Sequence, residues 1–132
     1  MTLTKVDRIC ILEPDRLLAD YMLMVLEEIG FKIDLLDDAV EIKEYIHKKK
    51  PRIFIIDVFL PGWNGIELLS YMKDNNLLEN TRVIVISSFG YQEVVQQAIL
   101  FGAADFILKP FEKQVLLDKV KTQLMDLYHE GK

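Results

Sequence analysis

Three unbroken apolar runs constrain the fold of this chain more than anything else: Ile9-Cys10-Ile11-Leu12, Ile53-Phe54-Ile55-Ile56 and Val83-Ile84-Val85-Ile86. Each has the length and β-branched bias of a strand, and none alternates with polar residues as a strand with one wet face would. Such strands are buried on both sides, which is the condition of a parallel sheet covered by helices. The intervening segments have helical spacing. Residues 16–29 set Leu18, Met22, Val25 and Ile29 on one side and stop at Gly30. A charged helix at about 38–49 turns Ile42, Tyr45 and Ile46 inward, and Gly65 opens a helix carrying Ile66, Leu69 and Met72, weakened at Asn75-Asn76. Residues 91–101 place Val94, Val95, Ala98 and Ile99 inward, with Gly102 as a left-handed cap. A last strand at 105–108 leads through Pro110 to a long helix with Leu116, Val120, Leu124 and Leu127 on one side.

Phe31-Lys32-Ile33-Asp34-Leu35 does alternate, so this strand belongs at a sheet edge. Strict β-α alternation then implies a five-stranded parallel sheet with right-handed crossovers. The fold class is α/β: a flavodoxin-like three-layer sandwich of strand order 2-1-3-4-5 with five helices. A chain of 132 residues holds one such core, and residues 1–132 are read as a single domain.

Net charge is −5, and Lys48-Lys49-Lys50 is the only basic block, which reads as a solvated helix end. That balance argues against direct nucleic-acid binding, which needs a concentrated basic face. Cys10 is alone, so it reads as a small buried hydrophobe, and His47 and His129 lie far apart in charged helical surroundings that suit surface roles. The N-terminal residues lack the apolar stretch of a signal peptide, and no segment is fit to span a membrane; the expected location is cytoplasmic.

Chemistry gathers where strands end. Asp57 closes the second apolar run, Ser87-Ser88 follows the third, and Lys109-Pro110 follows the last strand. A carboxylate is costly inside such a sheet and useful at its rim, where open parallel sheets bind ligands. An acid, a hydroxyl and an amine at neighbouring strand ends suit a phosphoryl-acceptor site. Taken singly, Asp57 and Ser87 serve equally well as turn residues, Lys109 as an ion-pair partner and Phe106 as core.

Ile56-Asp57 with Pro61 and Gly65 at their spacing, Ser87-Ser88, and Gly102-Ala103-Ala104-Asp105-Phe106-Ile107-Leu108-Lys109-Pro110-Phe111 together resemble the receiver domain of two-component response regulators, along essentially the whole chain. The resemblance implies that Asp57 accepts a phosphoryl group from a sensor histidine kinase or phosphotransfer protein. Lys109 would pair with that carboxylate and later with the phosphoryl oxygens, Ser87 would donate its hydroxyl to one of them, and Ser88 would leave room. Phe106 would be the aromatic switch residue, and Lys109-Pro110 a cis bond. The face made by the fourth helix, fifth strand and fifth helix would meet a downstream protein or output domain, with Tyr91, Gln92 and Gln96 exposed on it; a homodimer is a further partner the resemblance allows. The family is a switch rather than an enzyme.

The departure is Leu12-Glu13-Pro14-Asp15, where receivers carry two adjacent acids and the second ligates Mg²⁺ directly. Glu13 fills the first place, but Pro14 offers neither a side-chain oxygen nor an N–H. Mg²⁺ is expected to be held weakly by Asp57, Glu13 and the backbone carbonyl of Phe59, with Asp15 engaged in capping the first helix. Phe59 and Phe89 also put apolar bulk where hydrolytic water passes in the family. The competing reading is a phosphorylation-independent pseudo-receiver acting as a protein-interaction module, supported by Pro14. A flavodoxin would need a Ser/Thr/Gly-rich loop where Glu13-Pro14-Asp15 stands, and a haloacid-dehalogenase-type phosphatase a second Asp where Phe59 stands.

Overall fold

The computed structural model describes residues 7–36 and 42–130. The start of the second helix, expected from residue 38, lies outside the described residues, as does the side chain of His129. In chain order the elements are β1 Arg8–Leu12, α1 Arg16–Leu26, β2 Lys32–Leu36, α2 Ile42–Lys49, β3 Ile53–Asp57, β4 Phe59–Leu60, β5 Trp63–Asn64, α3 Gly65–Asp74, β6 Arg82–Ser87, α4 Gln92–Leu100, β7 Asp105–Leu108 and α5 Lys113–Glu130. The main sheet is parallel, in the order β2-β1-β3-β6-β7. Setting aside the two-residue strands β4 and β5, which pair only with each other, this is the expected order 2-1-3-4-5.

Side-chain alternation along the buried strands divides the interior in two. Cys10, Leu12, Phe54, Ile56, Val83 and Val85 point to one face, where Ile42 and Ile46 of α2, Leu69 and Met72 of α3 and Ala98 of α4 cover them. Ile9, Ile11, Ile53, Ile55, Ile84 and Ile86 point to the other, under Met22 and Val25 of α1 and Leu116, Val120 and Leu124 of α5. All twelve of these strand side chains are essentially fully buried, so each contributes roughly 1.5–3 kcal/mol relative to exposure. Two covered faces explain why these strands show no polar alternation.

Edge strand β2 behaves as its alternation predicts. Ile33 and Leu35 pack on the α1/α5 side, while Asp34 turns to the other and takes a bidentate contact from Arg8 and a 2.5 Å bond from the Tyr45 hydroxyl. Cys10 is buried beneath this group. Helix α1 tightens into a 3-10 turn at Glu27–Ile29 and ends on Gly30 at φ +88, and Gly102 follows α4 at φ +104, both in the left-handed region. Lys48, Lys49 and Lys50 are exposed at the end of α2.

One inward assignment is wrong. Ile99 is 59% exposed, and Val95 is only half-buried. In α4 the core stripe is Val94, Ala98 and, just past the helix, Phe101, at the i, i+4, i+7 spacing; Val95 and Ile99 fall one step round the helix, toward solvent.

Candidate functional site at the carboxyl rim of the sheet

β1, β3, β6 and β7 each deliver one chemically active residue to the same rim: Glu13, Asp57, Ser87 and Lys109. Backbone bonds set their positions. Asp57 stands opposite Ile86 in the register, Val58 N–H donates to the Ile86 carbonyl at 3.1 Å, and Lys109 N–H donates to the Ser87 carbonyl at 2.8 Å. The Lys109-Pro110 bond is cis, as the resemblance implied.

The Lys109 ammonium donates to both the Asp57 and the Glu13 carboxylates. All three side chains are largely buried, Glu13 most of all at 1% exposed. Each remaining carboxylate oxygen is also engaged: Asp57 Oδ1 accepts from Phe59 N–H at 2.7 Å, and Glu13 Oε2 from Asp15 N–H at 2.9 Å. Burial pushes the Glu13 carboxyl above its ordinary range, against the pull of Lys109. Burial would lower the Lys109 ammonium, but its bonds to Asp57 and Glu13 outweigh that and hold it above the usual lysine value. Lys109 is therefore charged throughout the physiological range.

Ser87 is fully buried, and its Oγ accepts from Phe89 N–H at 3.0 Å, which leaves the hydroxyl proton for another acceptor. Ser88 beside it is exposed. Phe106 is half-buried against the core beneath α4. Asp15 Oδ1 caps α1, accepting from Leu17 and Leu18 N–H at 3.1 and 3.3 Å, as expected. His47 is an exposed partner of the Tyr71 hydroxyl at 2.9 Å, away from the rim.

Besides the bond from Lys109 to Glu13, two features escaped the sequence. The loop after Asp57 is a small hairpin, with Phe59 opposite Asn64, Leu60 opposite Trp63, and Gly62 at φ +72 in its turn. The Pro61-Gly62 dipeptide is the signal that could have revealed it. The other is a ladder of exposed rings along the mouth of the site. Phe59 and Phe89 meet edge to face at 5.1 Å, and Phe89 stacks on Tyr91 at 5.9 Å.

This rim, on a doubly wound sheet, defines a receiver domain. The chain belongs to the response regulator receiver domain family, whose model matches residues 9–121. It is 31% identical over 117 residues to the C4-dicarboxylate transport transcriptional regulatory protein DctD of Pseudomonas aeruginosa, a match over 89% of this chain and 25% of that protein. It is 25% identical over 114 residues to the phosphate regulon transcriptional regulatory protein PhoB of Escherichia coli, over 86% of this chain and 50% of that one. The chain thus spans half or less of the length of these relatives. Among solved structures, the signal receiver domain of a putative LuxO repressor protein from Vibrio parahaemolyticus superposes with a TM-score of 0.90 at 24% identity, covering 96% of each chain. A CheY-like response regulator receiver domain protein from Methanospirillum hungatei gives 0.86 at 25% identity, over 96% of this chain and 99% of that one.

Receiver domains bind Mg²⁺ at their acidic pocket, and the donors present here fit that ion poorly. Mg²⁺ demands near-octahedral oxygen ligation. Pro14 supplies no side-chain oxygen, Asp15 Oδ1 caps the helix, and both oxygens of Glu13 and of Asp57 already accept hydrogen bonds. Among the described residues no group of three or more His, Cys, Asp or Glu is placed to hold a metal ion. Also among them, no helix is long and apolar enough to cross a membrane.

Proposed function

We propose that residues 1–132 act as a single cytoplasmic receiver in which Asp57 is the phosphoacceptor and the fold is a switch rather than an enzyme. The observation that carries this is Lys109 held on the Asp57 carboxylate at a strand end, with the Ser87 hydroxyl on the adjacent strand. In the transfer an Asp57 oxygen attacks the phosphorus of a phosphohistidine on the donor. The new O–P bond forms as the P–N bond breaks, and the imidazole leaves with the electron pair. Lys109 then follows the charge onto the phosphoryl oxygens, and Ser87 donates its hydroxyl to one of them.

Receiver domains of this family interact with histidine kinases and output domains. Here the donor approaches over the rim, where a cavity of about 430 Å³ opens beside Lys109 between Leu18 and Tyr21 of α1 and Pro110-Phe111. The response passes to the face of α4, β7 and α5, whose exposed members include Tyr91, Gln92, Gln96 and Ile99. Phe106 and Ser87 lie beneath it, giving a short packed route from Asp57. The partner on that face is a downstream protein, an output domain or a second copy, and not nucleic acid. A phosphate-indifferent module has only Pro14 behind it.

Intact mass after incubation with acetyl phosphate tests the acceptor. Wild type should gain one phosphoryl group, and Asp57→Asn should gain none; a persistent gain in that variant refutes the assignment.

A further inference from the structure

We infer that this receiver carries its counter-charge within the chain: Lys109, gripped by Glu13 and Asp57 together, stands in for a divalent cation, and the site does not take up Mg²⁺ at low millimolar concentration. The inference rests on the proposed role of Asp57 but is read out separately from it.

Four observations converge. The position that would project a second acid from the end of β1 is Pro14. The next acid, Asp15, caps α1 through its Oδ1. Glu13, the remaining acid of that segment, is buried and held at both oxygens, by Asp15 N–H and by Lys109. To ligate a cation it must bring the ion against an oxygen already in contact with the Lys109 ammonium or with Asp15 N–H. Lastly, the ammonium already lies against both carboxylates, so a dication entering between them meets a fixed positive charge.

The arrangement suits metal-free transfer from a small donor. With acetyl phosphate, the Asp57 oxygen attacks phosphorus, the P–O bond to acetate breaks, and acetate leaves with the electron pair. No proton is consumed, and the added negative charge on the phosphoryl group develops next to Lys109.

The test is a MgCl₂ titration at constant ionic strength, following the backbone amides of Asp15 and Phe59 by NMR in wild type and Pro14→Asp. It is paired with acetyl phosphate labelling in MgCl₂ or in chelator. Wild type should show no saturable shift into the tens of millimolar, while Pro14→Asp saturates at a concentration at least about tenfold lower. Labelling of wild type should be the same within about twofold in the two conditions. A saturable wild-type response at low millimolar Mg²⁺, equal titrations in the two proteins, or labelling lost on chelation would each overturn the inference. If neither protein labels but the titrations differ as stated, the charge arrangement stands and the acceptor role of Asp57 is what fails.

Discussion

Replacing Gly65 with alanine should unseat the acceptor without touching its side chain. Gly65 begins α3, its N–H donates to the Val58 carbonyl at 2.7 Å, and Asn64 Oδ1 caps the helix from the preceding position. A Cβ at Gly65 would lie 2.3 Å from the carbonyl oxygen of Asp57 and 2.9 Å from Ile56 Cγ2. The first obstacle is backbone, at the last residue of the central strand, so it cannot rotate away as a side chain could. Overpacking of this kind costs roughly 1–3 kcal/mol. Weakening the Gly65–Val58 bond in a buried setting adds about 1–2 kcal/mol, while alanine returns at most about 1 kcal/mol of helix propensity. The net expectation is a loss of about 1–4 kcal/mol. With a urea slope near 2 kcal/mol per molar, typical of a small domain, the unfolding midpoint should fall by roughly 0.5–2 M. Urea unfolding followed by far-ultraviolet circular dichroism measures this, and the Phe59 amide, bonded to Asp57 Oδ1, should shift in the folded variant. Gly30→Ala is the contrasting case: nothing lies within 4 Å of its added Cβ, so only the left-handed backbone at φ +88 is penalised, by about 1 kcal/mol. A Gly65→Ala protein within about 0.5 kcal/mol of wild type would refute the argument.

Phe59 and Phe89, two residues past Asp57 and Ser87 respectively, meet edge to face and cannot orient water, so an aspartyl phosphate on Asp57 should outlast that of a Phe59→Asn/Phe89→Glu variant several-fold. Equal decay of the two acyl phosphates, followed by intact mass, would dismiss the ring pair as a shield. Tyr45 has its phenol raised, first by burial and then by charges and bonds from Cys10 and Asp34. Since its folded value lies above the unfolded one, the unfolded chain ionises first, and stability should fall as pH rises past about 10. Absorbance titration near 295 nm should show one late tyrosine missing in Tyr45→Phe; a curve whose late part is unchanged would contradict the burial of this phenol. Ile56→Ala should cost about 2–5 kcal/mol and Ile99→Gln less than about 0.5, both by urea unfolding, because one fills the core and the other faces water.

Local pattern carried the element order, since a strand covered on both sides must be apolar throughout and a helix over it must repeat at 3.6. It also placed Asp57, Ser87 and Lys109 at the rim, because a polar residue ending an apolar strand has only the rim to occupy. It misjudged Ile99, since periodicity fixes a helix's apolar side but not the width of its contact. It missed the bond from Lys109 to Glu13, residues separated by most of the chain and placed just past the ends of β7 and β1, with β6 and β3 between. From the sequence, Pro14 reads as a ligand missing from a metal site. Only the tertiary structure, by bringing the end of β7 back over β3 to β1, shows a lysine already bonded to both of the carboxylates that remain, its single charge offsetting one of them. Strand composition is set by each residue's own surroundings, whereas charge balance at the rim depends on which strand ends the sheet order makes neighbours.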